Sequence, residues 1–215
     1  MSLTVKCHRP GRPKDMEKRA AILQAAQELF TDHGFEHTSM DAVASQAGVS
    51  KLTVYSHFGD KASLFREAVR QRCQAMVPEE LYVVAPGDTL REALLKIAGH
   101  HAHLMTNPQT IGIWRAIASA CGSGEAVLGQ MLWEEGPMRS RRLMQVLLAE
   151  QVRAGTLVID DIPRAASQFL CLLKGDLHTR RLLGCVDNAC EQFKQEIIDN
   201  AESAVDMFLR AYKAR

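Results

Sequence analysis

Apolar residues recur at intervals of three and four along almost the whole chain. Ile22, Leu23, Ala26, Leu29 and Phe30 share one face of a helix predicted over residues 15–33, and Gly34 is placed to close it. Thr38-Ser39-Met40-Asp41 has the form of a capping box, so Thr38 is the expected N-cap of a short helix over residues 40–47. Gly48 supplies a left-handed turn and Ser50 caps a third helix over 51–57. Asp60 caps a fourth, from 61 to about 77, where Pro78 stops it. Further helices are predicted over 88–105, 109–120, 125–153 with a bend at Gly136-Pro137, 163–183 and 188–212. Residues 81–85 form the one short strand-like run. The expected fold is all-α: a basic arm over 1–14, a three-helix N-terminal helix-turn-helix domain over 15–60, and a larger helical domain over 61–215.

Composition narrows the class. In 215 residues, 47% are hydrophobic and 24% charged, with 7 Pro and 14 Gly, which excludes a disordered or collagen-like chain. No run of 18 apolar residues suggests a membrane span, and the first 20 residues show no apolar signal segment. The expectation is a cytoplasmic protein with no membrane partner, its six Cys free thiols. The net charge of +1 hides an asymmetry. Lys6, Arg9, Arg12, Lys14, Lys18 and Arg19 face only Asp15 and Glu17 in the first 19 residues, so the remainder is net acidic. A basic arm on an acidic body suits contact with nucleic acid.

The densest chemistry lies in TSMDAVASQAGVSKLTVYSHF, residues 38–58. Two short helices crossing at a tight turn need a small residue at the crossing, Ala44, and a residue tolerant of positive φ, Gly48. Val43, Val49, Val54 and Phe58 are the positions that hold the second helix. Lys51, Leu52, Thr53, Tyr55 and His57 remain outward, with no acidic residue among them. The alternative is an ordinary helical hairpin inside an enzyme. Yet the chain carries no GxSxG, P-loop, HExxH or CxxC, and no catalytic residue is assigned.

The stretch GRPKDMEKRAAILQAAQELFTDHGFEHTSMDAVASQAGVSKLTVYSHFGDKASLF, about 55 residues, resembles the N-terminal domain of TetR-family transcriptional regulators. It departs at Ser56, where many members carry a larger residue, which bears on operator preference. LLAEQVRAGTLVIDDIPRAASQFLCLLKGDLHTRRLLG, residues 147–184, resembles the ligand-binding region of the AefR-like branch. The resemblance implies double-stranded operator DNA as partner. Lys51 would reach guanine acceptors, Leu52 and Thr53 would meet thymine methyls, and Tyr55, His57, Thr38, Ser39 and Lys61 would contact phosphates. Arg9, Arg12 and Lys14 would enter the adjacent minor groove.

The resemblance also implies a homodimer on a palindromic site, built by the last two helices. Leu173, Leu177, Phe193, Ile197, Val205 and Phe208 are its expected interface, because the apolar surface there exceeds one face. The middle third is expected to hold an effector pocket walled by Met76, Trp114, Met131 and Phe169, with His100 and His103 as polar groups. The function implied is a repressor released from its operator by a small apolar or amphipathic molecule, with no cofactor and no metal. The rival is a metal- or thiol-responsive regulator using His100 with His103, or Cys185 with Cys190.

Overall fold

The computed structural model describes residues 13–122, 126–187 and 190–214, and these group into two compact units, one ending at Gln71 and the other beginning at Arg72. Among the described residues the ordered elements are helices, with one isolated bridge between Leu157 and Lys213.

The first unit contains α1 (Pro13–His37), α2 (Met40–Gln46), α3 (Lys51–Phe58) and the first part of α4 (Lys61–Met76). Gly34, at φ 76°, interrupts α1 where the sequence placed its end. Ile22, Leu23 and Ala26 of α1 bury against Val43 and Ala44 of α2, Val54 and Phe58 of α3, and Leu64 and Ala68 of α4. Gly48 takes φ 65°, as the turn between α2 and α3 requires. The cap of α2 differs from expectation. Ser39, not Thr38, is the N-cap, its hydroxyl accepting from Ala42 N at 3.1 Å. Thr38 is 2% exposed and donates inward to Leu29 O and Gly34 O. With the cap one residue later, Asp41 is too early to complete a box.

The second unit comprises a single-turn 3₁₀ helix (Glu79–Tyr82), α5 (Leu90–Thr106), α6 (Pro108–Gly122), α7 (Ala126–Glu135), α8 (Pro137–Arg153), α9 (Ile162–Lys174), α10 (Leu177–Leu182) and α11 (Glu191–Tyr212). The strand-like run at 81–85 is thus part of a 3₁₀ turn and an extended loop. Gly136 (φ −101°, ψ −86°) and Pro137 separate α7 from α8 completely, since Pro137 cannot donate into a continuing helix. The predicted helix over 163–183 is likewise two: Gly175 turns at φ 48° between α9 and α10. The core is made by Leu94 and Ile97 of α5, Met144, Leu147 and Leu148 of α8, Phe169 and Leu173 of α9, and Val205 and Phe208 of α11. Phe169 and Phe208 meet edge to face at 4.9 Å.

That core corrects the expected dimer surface. Leu173, Leu177, Phe193, Val205 and Phe208 are each no more than 4% exposed within a single chain, and only Ile197 is half-buried. Their period reported a buried face, and their own unit buries it. The apolar side chains left outward on and beside these helices include Leu183, Ile198 and Met207, with Leu170 and Leu172 half-covered.

Candidate nucleic-acid interface

An eight-residue helix is unstable alone, so α3 depends on what it buries. Val54 (0% exposed) and Phe58 (8%) anchor it in the first unit's core, each worth about 2 kcal/mol of burial. Ser50 caps it by accepting from Thr53 N at 3.1 Å. This rigid seating leaves the opposite face to solvent: Leu52 is 78% and Tyr55 41% exposed, both free of the unit's own core.

The polar residues divide between those outward and those engaged. Thr53 shares a 2.8 Å hydrogen bond with the Ser50 hydroxyl. His57 is mostly covered, with Nε2 3.1 Å from Asp15 Oδ1, so it is turned to α1 rather than outward. Thr38 is buried, as described, which removes its hydroxyl from any phosphate, whereas Ser39 is exposed. Lys61 Nζ donates to Glu36 O at 3.3 Å and lies 4.3 Å over the Phe35 ring. It therefore braces the turn after Gly34 besides carrying charge. Arg9, Arg12 and the Lys14 side chain lie outside the described residues.

The first unit adds one group that the sequence reading missed. Asp41, from the first turn of α2, accepts from Lys51 Nζ at 2.8 Å, both side chains being more than half exposed. The hydrogen bond to this carboxylate raises the Lys51 pKa. The outward face of α3 contains no acid of its own, but the turn brings one to it. No periodicity reveals such a pair, because it depends on where α2 crosses α3.

In the second unit the expected pocket residues do not form one group. His100 Nε2 donates to Met76 O at 2.6 Å, joining α5 to the end of α4. Trp114 stands edge-on to His178 at 5.7 Å, and His178 donates through Nδ1 to Met105 O. His103 is exposed and points away from the interior. Phe169 is closed into the core by Phe208, and Met131 is buried on α7. A depression of about 720 Å³ lies elsewhere, between the start of α5 and the end of α11. The polar residues buried in this unit include His178, 3% exposed, and His101, which the sequence reading did not single out. His101 is 8% exposed, its Nδ1 has no partner, and burial lowers its pKa to about 4.

The sensor chemistry has less behind it. Among the described residues no three His, Cys, Asp or Glu side chains converge on a metal position. Cys185 and Cys190 are exposed and not joined to each other, while Cys73 is buried, with its thiol pKa pushed up to about 11. No described helix is long and apolar enough to cross a membrane.

Comparison with known proteins agrees with this geometry. The profile of the DNA-binding domain of bacterial regulatory proteins of the tetR family matches residues 22–68, and that of the AefR-like transcriptional repressor C-terminal domain matches 92–214. The HTH-type transcriptional regulatory protein RaaS of Mycobacterium tuberculosis is 32% identical over 168 residues, 76% of this chain and 71% of that protein. The HTH-type transcriptional activator FasR of Mycolicibacterium smegmatis is 38% identical over 65 residues, a match spanning 30% of this chain and only 29% of FasR. Among solved structures, the Flavonoid-responsive Regulator FrrA superposes with a TM-score of 0.75 at 33% identity, over 93% of this chain and 99% of that one. The α2–α3 arrangement and both matched regions lead to one conclusion: the chain belongs to the TetR family of bacterial DNA-binding transcriptional regulators, which are not enzymes, and carries an AefR-like C-terminal domain.

Proposed function

We propose that this protein is a repressor that acts in the cytoplasm as a homodimer on a palindromic operator and is released by a small amphipathic or aromatic effector. The observation that carries the reading is the seating of α3: Val54 and Phe58 fix it, and Leu52, Thr53 and Tyr55 stand on the face its own core does not use. Lys51 and Thr53 read base edges, while Ser39, Tyr55 and Lys61 hold the backbone, with the arm of Arg12 and Lys14 in the minor groove. One such unit buries too little DNA for tight specific binding, so two copies are used, at half-sites about one helical turn apart. Leu170, Leu172, Leu183 and Ile198 supply the apolar surface for pairing. The repressor sense is supported by the AefR-like repressor domain, and the effector class by the likeness to a regulator named for its response to flavonoids. The effector shifts the population toward a form whose reading helices no longer match successive major grooves.

The test is a selection of bound sequences from random duplexes, followed by mobility shifts with and without aromatic compounds such as chrysin. A recovered palindrome released by an aromatic ligand supports the reading. Failure to bind any duplex would remove it, and operator binding indifferent to every aromatic compound would remove the effector class.

A further inference from the structure

We propose that Asp41 is a specificity residue: by holding Lys51 it withholds that cation from the DNA backbone and weakens sequence-independent binding more than operator binding. This rests on the reading of α3 as the helix that meets the bases.

Three observations support it. Asp41 Oδ2 and Lys51 Nζ are 2.8 Å apart, one on the first turn of α2 and the other at the first position of α3. Both side chains are more than half exposed, Lys51 on the helix whose outer face carries Leu52 and Tyr55 and Asp41 bonded to it from α2, so the pair stands where a duplex would lie. And Asp41 does not cap α2, a task that falls to Ser39, which accepts from Ala42 N; beyond its place in the first turn of α2, its carboxylate is engaged by Lys51. An exposed ion pair adds little to folding stability, so its consequence is sought in the charge of the reading face.

A free lysine at that face is drawn to any phosphate, and each such contact releases condensed counterions whatever the sequence. Paired with Asp41, Lys51 presents no net charge. Transferring it to a phosphate breaks the pair and leaves a bare carboxylate beside a polyanion. On scrambled DNA nothing offsets that cost. On an operator the seating of α3 in the groove places base-edge acceptors where the remaining N–H donors of Lys51 reach them with the Asp41 bond kept, so that cost does not arise. Removing the Asp41 charge therefore benefits scrambled DNA more than operator DNA.

The experiment titrates wild type, D41N, K51Q and D41N/K51Q against the selected operator and a scrambled duplex over a salt series. D41N is expected to raise affinity for the scrambled duplex at least about threefold and to steepen its salt slope by about 0.9 per reading helix. Operator affinity rises less, so the ratio of the two falls. In the K51Q background, adding D41N changes little, because the gain passes through the lysine. An unchanged salt slope for D41N overturns the inference. So does an equal gain with and without Lys51, which would make Asp41 only a repelling charge. Wild type that binds neither duplex refutes the DNA reading itself and this inference with it, whereas a null result confined to D41N leaves that reading standing.

Discussion

Acid should weaken this protein through His101, and the size of the effect follows from its surroundings. The ring lies in α5 at 8% exposure, its Nδ1 lacks a partner, and His100, Lys174 and His178 all disfavour a further positive charge there. Burial is the largest cause, and together they bring the pKa from 6.5 to about 4. The native chain thus keeps His101 neutral where the unfolded chain protonates it. For a group whose folded pKa is depressed in this way, the unfolded state binds more protons between the two values. Its contribution to stability is intact above pH 6.5 and is lost as pH falls toward 4. The full difference is about 3 kcal/mol, of which about 2 kcal/mol is lost between pH 8 and pH 5, before most carboxylates titrate. Urea unfolding of wild type and H101L over that range isolates it. The leucine variant should match wild type or exceed it at pH 8, since an unpaired buried nitrogen is removed. It should fall about 2 kcal/mol less by pH 5. Parallel stability profiles for the two proteins would refute the reasoning, because His101 would then not be a neutral buried histidine.

Other outcomes follow from single positions. F208A, opening a cavity against Phe169 and Tyr212, should cost about 3–5 kcal/mol in unfolding experiments; F208E should unfold the second unit rather than yield a folded monomer in sedimentation, and a folded monomer would restore Phe208 to the pairing surface. G48A places a side chain at φ 65° and should destabilise the first unit by about 1 kcal/mol. G99A, in the exposed interior of α5 with open space around the added carbon, should instead stabilise by up to about 1 kcal/mol, so melting temperatures that move the same way would contradict the backbone argument. Y55A should lower affinity for operator and scrambled duplexes alike, whereas T53A should also change the preferred sequence; an unchanged affinity for Y55A would mean the face of α3 is misplaced.

Much of the DNA-binding unit was legible before the structure because its determinants are local. Gly48 needs its conformation whatever surrounds it, and Val43, Val54 and Phe58 are buried at the spacing that marked them. The second unit was less legible. The apolar period runs through Leu172, Leu173, Leu177 and Leu182 without a gap, yet Gly175 breaks the helix there, because hydrophobic spacing does not register a single left-handed residue. The stripe of Phe193, Val205 and Phe208 was read as a pairing surface and is buried within a single chain, because a period says that a face is covered and not by what. The pocket candidates failed for the same reason. His103 is exposed and His101 buried, two positions apart on one helix, and rotation of α5 against its neighbours decides between them. The Asp41–Lys51 pair is a tertiary coincidence of two helix starts, invisible to any one-helix pattern.

Cys73 gives the second unit a chemical clock. Its sulfur lies against the α7–α8 break, within 3.5 Å of where a side-chain carbon on Gly136 would stand. Burial holds its thiol pKa at about 11, so the native state presents almost no thiolate. Cys171, Cys185 and Cys190 are exposed within a single chain, and their labelling is followed separately from that of Cys73. Any slower labelling of Cys73 counts the openings of the packing around Gly136, and a compound that tightens that packing will slow the clock without a DNA molecule in the tube.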